Sequence, residues 1–190
     1  MGGYVIFVES GREDAVCAQI TNLLEHINYS DYELLVPKRK LNEKHKGVFV
    51  EIVKTMFPGY VFIKTDNAWD VYNKTRHLSS LYRFLNSDAV IQEIRLEEIS
   101  NLVYMIDDKG VIGVSDIYVE NDKIIVTKGP LMYYNGLVKK VDRRNHRIKI
   151  LFQFNGEMHF INISINFIEK LDDSVSSKEI PFFVNYYTKR

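Results

Sequence analysis

The chain has 190 residues, 46% hydrophobic and 13% aromatic, which is enough apolar surface for a substantial core and excludes an intrinsically disordered chain. Lys and Arg number 25 against 25 Asp and Glu, so bulk electrostatic attraction to nucleic acid is excluded and any such binding requires local segregation of charge. A single cysteine, Cys17, excludes an intrachain disulfide and a cysteine-built zinc site, and fits a reducing, cytoplasmic location.

Tyr4 to Val8 reads as a buried strand, and Ser10 with Glu13 three residues later has the form of a capping box opening a helix. Val16, Ile20, Leu23, Leu24 and Ile27 make one apolar stripe along that helix, with Cys17 beside it as a structural thiol. Glu33 to Pro37 is a second strand. It runs into Lys38, Arg39, Lys40, Lys44, His45 and Lys46, with Glu43 the sole acid among them, and Val48 to Thr55 returns as a strand. The pattern predicts a basic loop that projects from the sheet, either as solvated charge or as a contact with nucleic acid.

Met56 to Ile63 is an apolar run entering from a Pro58-Gly59 corner. Alternation places Phe57, Gly59, Val61 and Ile63 on one face and Pro58, Tyr60 and Phe62 on the other. With both faces apolar, the strand is either covered twice or exposes a docking surface. Asp66 is the expected N-cap of a helix carrying Ala68, Trp69, Tyr72 and Arg76, and Leu81 to Leu85 is another strand. Leu96, Ile99, Leu102, Val103 and Ile106 have helical spacing, stopped by Asp107 to Gly110. This order predicts an α+β domain over 1–110, with helices covering one side of a largely antiparallel sheet.

Residues 111–121 carry no strong period and are the expected linker. Beyond them the character is all-β, with strand patterns at Ile124–Val126, Leu137–Val141, Ile148–Phe152, His159–Ile163 and Asn166–Glu169. Closing these as a small five-stranded barrel over 122–171 would remove exposed edges. The tail 172–190, with Phe182, Phe183, Tyr186 and Tyr187, is either a packed extension or a disordered end, with the disordered end slightly favoured.

Charge segregates strongly at one place. Lys139, Lys140, Arg143, Arg144, Asn145, His146, Arg147 and Lys149 cluster against the single acid Asp142. At a hairpin tip, these side chains can splay around a phosphate backbone, and an RNA hairpin with opened bases is the favoured ligand over an ordinary charged turn. No catalytic arrangement emerges. His26, His45, His77, His146 and His159 are scattered without metal-ligand spacing, and no phosphate-cradling loop or nucleophile elbow occurs. The expectation is a binding protein without catalytic residues, metal or cofactor. Nowhere do 18 apolar residues run together, so a membrane-spanning or secreted chain is not expected.

The run Phe57-Pro58-Gly59-Tyr60 resembles a strand of the N-terminal domain of the NusG family of transcription elongation factors. A second stretch, Val126 to Leu131 followed by Asn135 to Asp142, resembles the KOW motif that closes those proteins, so the resemblance spans about residues 3–171. It implies that Phe57, Pro58, Tyr60 and Phe62 contact the clamp helices of RNA polymerase, and that the KOW domain binds RNA or another factor. Gly129-Pro130-Leu131 and the basic turn after Val141-Asp142 are most similar to the specialised LoaP-type members, which act on particular long operons as antiterminators. Three positions depart from the pattern: Gly3 where many members have Trp, Tyr133 where Gly is frequent, and Ser79-Ser80 where Pro-Gly is usual. The competing reading is a KOW-type RNA-binding module acting in ribosome or ribonucleoprotein assembly without polymerase.

Overall fold

The computed structural model describes residues 2–87, 90–121, 123–154, 156–169 and 177–180. The tail aromatics Phe182, Phe183, Tyr186 and Tyr187 lie outside the described residues. In chain order the elements are β1 (Gly2–Val8), α1 (Glu13–His26), β2 (Glu33–Leu35), β3 (Lys38–His45), β4 (Val48–Thr55), β5 (Tyr60–Thr65), α2 (Ala68–Thr75), β6 (Leu81–Phe84), β7 (Asn86–Ser87) and β8 (Val90–Ile91). They continue with α3 (Leu96–Met105), β9 (Val111–Ile112), β10 (Ser115–Glu120), β11 (Lys123–Lys128), a 3₁₀ turn (Pro130–Tyr133), β12 (Val138–Asp142), β13 (Arg147–Phe154), β14 (Glu157–Phe167) and β15 (Lys178–Ile180). The chain divides into two compact units, 1–38 with 55–96 and 39–54 with 97–190.

The first unit is built on an antiparallel sheet ordered β2-β5-β1-β6. Ile6 and Val8 on β1, and Val61 and Ile63 on β5, share a core with Val16, Ile20 and Leu24 of α1 and Val71 of α2. Each of these β-branched or Leu side chains removes enough area from water to contribute about 1.5–3 kcal/mol, so the α1 stripe fixes which sheet face is covered. The stripe ends a turn earlier than its spacing predicts, because Ile27 is the C-cap and is 44% exposed.

Both expected caps shift. Arg12, not Ser10, occupies the N-cap of α1, and no side chain caps there. The N–H of Asp66 is instead drawn to the Asp31 carboxylate at 3.1 and 3.3 Å, which leaves Asn67 to cap α2 by accepting from the N–H of Asp70 at 3.0 Å.

The sidedness around the Pro-Gly corner is also corrected. Phe57 to Gly59 form a turn before β5, closed by the N–H of Tyr60 donating to the carbonyl of Phe57 at 3.2 Å, with Gly59 at φ 85°. Strand alternation therefore starts at Tyr60. Val61 and Ile63 face the helices, while the Phe57 ring packs on Phe62 at 5.9 Å between centroids rather than sharing the side of Val61.

The second unit contains a three-stranded sheet ordered β4-β3-β9 and a six-stranded sheet ordered β12-β13-β14-β10-β11-β15. The basic stretch expected as a loop forms β3 and the turn at Lys46-Gly47, where φ values of 48° and 89° fit a two-residue type I′ hairpin. Residues expected as a linker form β9 and β10, and β10 runs parallel to β14 through Ser115–Ile165, Asp116–Asn166 and Ile117–Phe167. Two strands expected at 159–163 and 166–169 merge into the 11-residue β14. The sheet thus gains β10 and β15 beyond the five strands read from the pattern. β15 pairs with β11 and buries Ile180, so this part of the tail is a packed extension, contrary to the preference for a disordered end.

Candidate functional site

Two constellations come together, one in each unit. In the first, antiparallel pairing places Phe7 of β1 opposite Tyr60 of β5 and opposite Arg83 of β6. The Phe7 and Tyr60 rings lie 4.9 Å apart at 52°, and the Arg83 guanidinium carbon lies 5.1 Å from the Phe7 centroid. This row stands on the sheet face opposite to Ile6, Val61 and Ile63, because successive side chains alternate. Tyr60 and Phe7 are partly exposed, and Pro58 and Arg83 are exposed. Phe57 and Phe62 are buried, at 3% and 7% exposure. Of the four residues expected to dock, Tyr60 and Pro58 therefore present surface, whereas Phe57 and Phe62 support it from beneath.

Phe7 and Arg83 are absent from the residues singled out by sequence. The signal that could have found them is the pairing itself: once β1 and β5 run antiparallel, an aromatic on β1 with the parity of Phe7 must stand beside Tyr60.

The second constellation is the β12–β13 hairpin. Asp142 pairs with Arg147, and the intervening turn is held by Asp142, whose carboxylate accepts from the N–H of Asn145 at 3.0 Å and from its amide Nδ2 at 2.8 Å. These bonds hold the Asp142 carboxyl below its usual pKa. Arg143, Arg144 and Asn145 are exposed on the turn, with the Arg143 guanidinium 5.3 Å from the Phe167 ring. A register shift makes Lys139 the bulged residue, its ammonium 4.0 Å from the Phe160 centroid, and sets Lys140 opposite Lys149. Like charges directly opposite across a ladder are destabilising, so this pair favours an external anion.

His146 and Arg147 are placed differently from the other basic residues. His146 adopts a left-handed φ of 51°, and its ring contacts Phe49 at 5.4 Å and Phe167 at 5.8 Å. Arg147 donates from Nη2 to the carbonyl of Asn42 at 2.9 Å and lies 3.7 Å from Glu43. Both are partly buried against the β3–β4 hairpin rather than splayed at the tip.

On that hairpin two of the basic residues are neutralised. Lys38 pairs with Asp14 at 2.8 Å and Lys40 with Glu51 at 2.9 Å. Arg39 is partly buried, whereas Lys44 and Lys46 are exposed, the Lys44 ammonium lying 5.9 Å from the Phe49 ring. Among the described residues no group of three or more His, Cys, Asp or Glu is arranged to hold a metal, and no helix is long and apolar enough to cross a membrane.

The family described as "Transcription termination factor nusG" matches residues 3–103, more than half of the chain. The transcription termination/antitermination protein NusG of Rickettsia typhi is 25% identical over 175 residues, covering 89% of this chain and 90% of that protein. Its Helicobacter pylori counterpart is 24% identical over 174 residues, covering 90% and 99%, and that of Escherichia coli is 26% identical over 176 residues, covering 88% and 94%. A solved structure of Thermotoga maritima NusG, titled for its domain interaction, matches with a TM-score of 0.51 at 16% identity, covering 86% of this chain and 93% of that one. The chain belongs to the NusG family of transcription termination/antitermination factors, which are not enzymes.

Proposed function

We propose that the chain is an operon-specific processive antiterminator. It binds the clamp helices of RNA polymerase through the sheet face carrying Phe7, Pro58, Tyr60 and Arg83, and a leader RNA through a C-terminal unit of KOW type. The observation that carries the reading is the Arg83-Phe7-Tyr60 row, an amphipathic strip whose aromatic area and cation suit the core of a protein interface. On the C-terminal unit, the exposed Lys139, Lys140, Arg143, Arg144 and Asn145 supply the RNA contacts, with Lys149 beside them. The mechanism is differential binding: a factor with higher affinity for the elongating than for the paused or terminating polymerase shifts that equilibrium by the difference in affinity.

Readthrough of an intrinsic terminator by purified polymerase, with and without the operon's own leader RNA, tests this. Leader-dependent readthrough that is lost in Tyr60→Ala is the expected result. Equal readthrough on both templates would replace the operon-specific reading with a general elongation role. No effect on either template, despite RNA binding, would favour ribonucleoprotein assembly without polymerase.

A further inference from the structure

Three aromatic rings drawn from separate elements stand in file on the second unit. At the turn Lys46-Gly47 the chain folds Lys44 back over Phe49, with the ammonium 5.9 Å from the ring centroid. The Phe49 and His146 rings lie 5.4 Å apart at 50°, and the His146 and Phe167 rings lie 5.8 Å apart at 76°. At the far end the Arg143 guanidinium carbon is 5.3 Å from the Phe167 centroid. The order is cation, three rings, cation, and it runs from the β3–β4 hairpin to the β12–β13 turn.

Backbone contacts hold this row in place. The N–H of Asn42 donates to Ser164 Oγ at 2.8 Å and its carbonyl accepts from Arg147 Nη2 at 2.9 Å, so the Arg147–Ser164 pair of the β13–β14 ladder grips β3. His146 is fixed at a left-handed φ of 51°, with its carbonyl accepting from the N–H of Ile165 at 3.0 Å. Phe49, on the outermost strand of its sheet, is nonetheless 42% exposed. His146 and Phe167 are partly exposed, and Lys44 and Arg143 are exposed. The acids beside the two cations are occupied: Glu43 pairs with Lys54 at 2.6 Å, and Asp142 accepts from the N–H of Asn145 at 3.0 Å. Proteins that hold single-stranded nucleic acid interleave rings on which bases stack with cations that follow the backbone. This row has that composition, and a paired duplex offers it no free base faces.

We propose that Phe49, His146 and Phe167, flanked by Lys44 and Arg143, form a stacking platform for the unpaired bases of a single-stranded RNA. The choice of RNA rests on the RNA-binding reading above. To the basic turn the platform adds two uncharged residues, Phe49 and Phe167, and a strand, β4, that lies outside it.

The test is fluorescence anisotropy of the full chain with a labelled oligouridylate, beside a blunt RNA duplex of equal length. The single strand should bind more tightly than the duplex. Phe49→Leu keeps apolar bulk but removes the ring. It should weaken oligouridylate binding roughly 5- to 150-fold, the loss of one stacked base, and leave the slope of log K against log salt unchanged. Phe49→Trp, which restores a ring, should bind as the parent does. Lys44→Ala should instead lower the slope by about 0.7, the value for one phosphate contact to a single strand. In the parent, the His146 ring-proton resonances should move upfield on titration with oligouridylate, a readout that needs no variant. Parental affinity in Phe49→Leu, unmoved His146 resonances, or equal binding of duplex and single strand would overturn the platform. If Arg144→Ala still weakens binding in that event, RNA binding through the turn stands without it. Failure of the parent to bind either RNA would remove the platform and the RNA reading together. Tighter binding of the matching oligothymidylate would overturn RNA as the ligand.

Discussion

The carboxylate of Glu13 accepts a hydrogen bond from the N–H of Gly59 at 2.6 Å, across 46 residues of sequence, and from the N–H of Gly11 at 2.9 Å. Glu13 is only 3% exposed, so the first residue of α1 serves less as a capping-box partner than as a buried clasp on the Pro-Gly turn. The other side of that turn is closed by the N–H of Val8 donating to the carbonyl of Gly59 at 2.9 Å. β1, α1 and the start of β5 thus meet at one glycine, whose φ of 85° a residue with a Cβ rarely adopts. The clasp sets the position from which Tyr60 projects.

Replacing Glu13 with Ala should therefore destabilise the first unit by about 1.5–3 kcal/mol, the range for hydrogen bonds to a charged group. Glu13→Gln keeps an acceptor oxygen and should cost less. Urea unfolding midpoints at constant m-value would give both numbers. Equal midpoints for parent and Glu13→Ala would show that water replaces the carboxylate without cost.

That clasp also marks where the sequence is legible and where it is not. The α1 stripe can be read because Val16, Ile20 and Leu24 repeat within one element, and local periodicity directly reflects a covered face. The N-terminal α+β order and the all-β character of the C-terminal half follow from such local patterns. Glu13 to Gly59 cannot be read, since nothing local distinguishes a carboxylate at a helix start that caps its own chain from one that reaches a distant turn. The side of Phe57 is illegible for a related reason: strand alternation does not carry through Pro58-Gly59, where the chain turns instead of extending. Residues 111–121 escape because β10 gains its partners from β11 and β14, and such pairing leaves little trace in the period of the strand itself.

Substitutions on the two sides of the FPG turn should separate binding from folding. Tyr60→Ala and Arg83→Ala remove surface and should weaken polymerase binding with little change in unfolding midpoint. Phe62→Ala removes a buried ring and should cost about 3–5 kcal/mol of stability. Parallel polymerase pull-down and thermal unfolding would score each variant. If Tyr60→Ala and Arg83→Ala bind as the parent does, the Arg83-Phe7-Tyr60 row is not the docking face.

Tyr134 organises the C-terminal unit much as Glu13 organises the first. It is fully buried, and its hydroxyl donates to the carbonyl of Leu151 at 2.6 Å, lies 3.0 Å from that of Leu137, and accepts from the N–H of Leu151 at 3.0 Å. Burial pushes its pKa up to about 12, so it stays neutral through the physiological range. Tyr134→Phe should cost about 1–3 kcal/mol, because the Leu151 carbonyl loses its hydroxyl donor in the interior, while the Leu151 N–H keeps the Leu137 carbonyl at 3.1 Å. Gly136→Ala should destabilise as well, since a Cβ there would come within 2.3 Å of the Tyr134 hydroxyl, which its bonds hold in place. The double variant should lose less than the sum of the two single losses, because removing the hydroxyl relieves the clash; strict additivity of denaturation free energies would refute that coupling.

Cys17 should be chemically silent in the native chain. Burial, reinforced by the nearby charge of Asp14, raises its thiol pKa to about 12. Against an ordinary thiol pKa of about 8.5, this lowers the thiolate population near neutral pH by roughly three orders of magnitude. Titration with a chromogenic disulfide at pH 8 should show slow release that becomes fast in denaturant. Rapid stoichiometric reaction of the folded protein would contradict the packing of Cys17 beside the α1 core.

The basic hairpin offers a separation by residue, because Arg143 and Arg144 stand exposed whereas Arg147 is tied to Asn42. Arg143→Ala with Arg144→Ala should weaken leader RNA binding and lower the slope of log K against log salt by about 1.4, at roughly 0.7 per phosphate contact to a single strand. The pH dependence should follow Asp142, whose folded-state carboxyl pKa is depressed by the Asn145 bonds. Its contribution to the turn is fully present above the unfolded carboxylate pKa and is lost as pH falls through the depressed value. Asn145→Ala removes the side-chain bond, so the Asp142 pKa should move up toward the ordinary range and the turn should loosen at a higher pH than in the parent. Carboxyl-detected NMR titration reads this shift directly. An Asp142 titration unchanged by Asn145→Ala would mean that the backbone N–H bonds alone hold the turn.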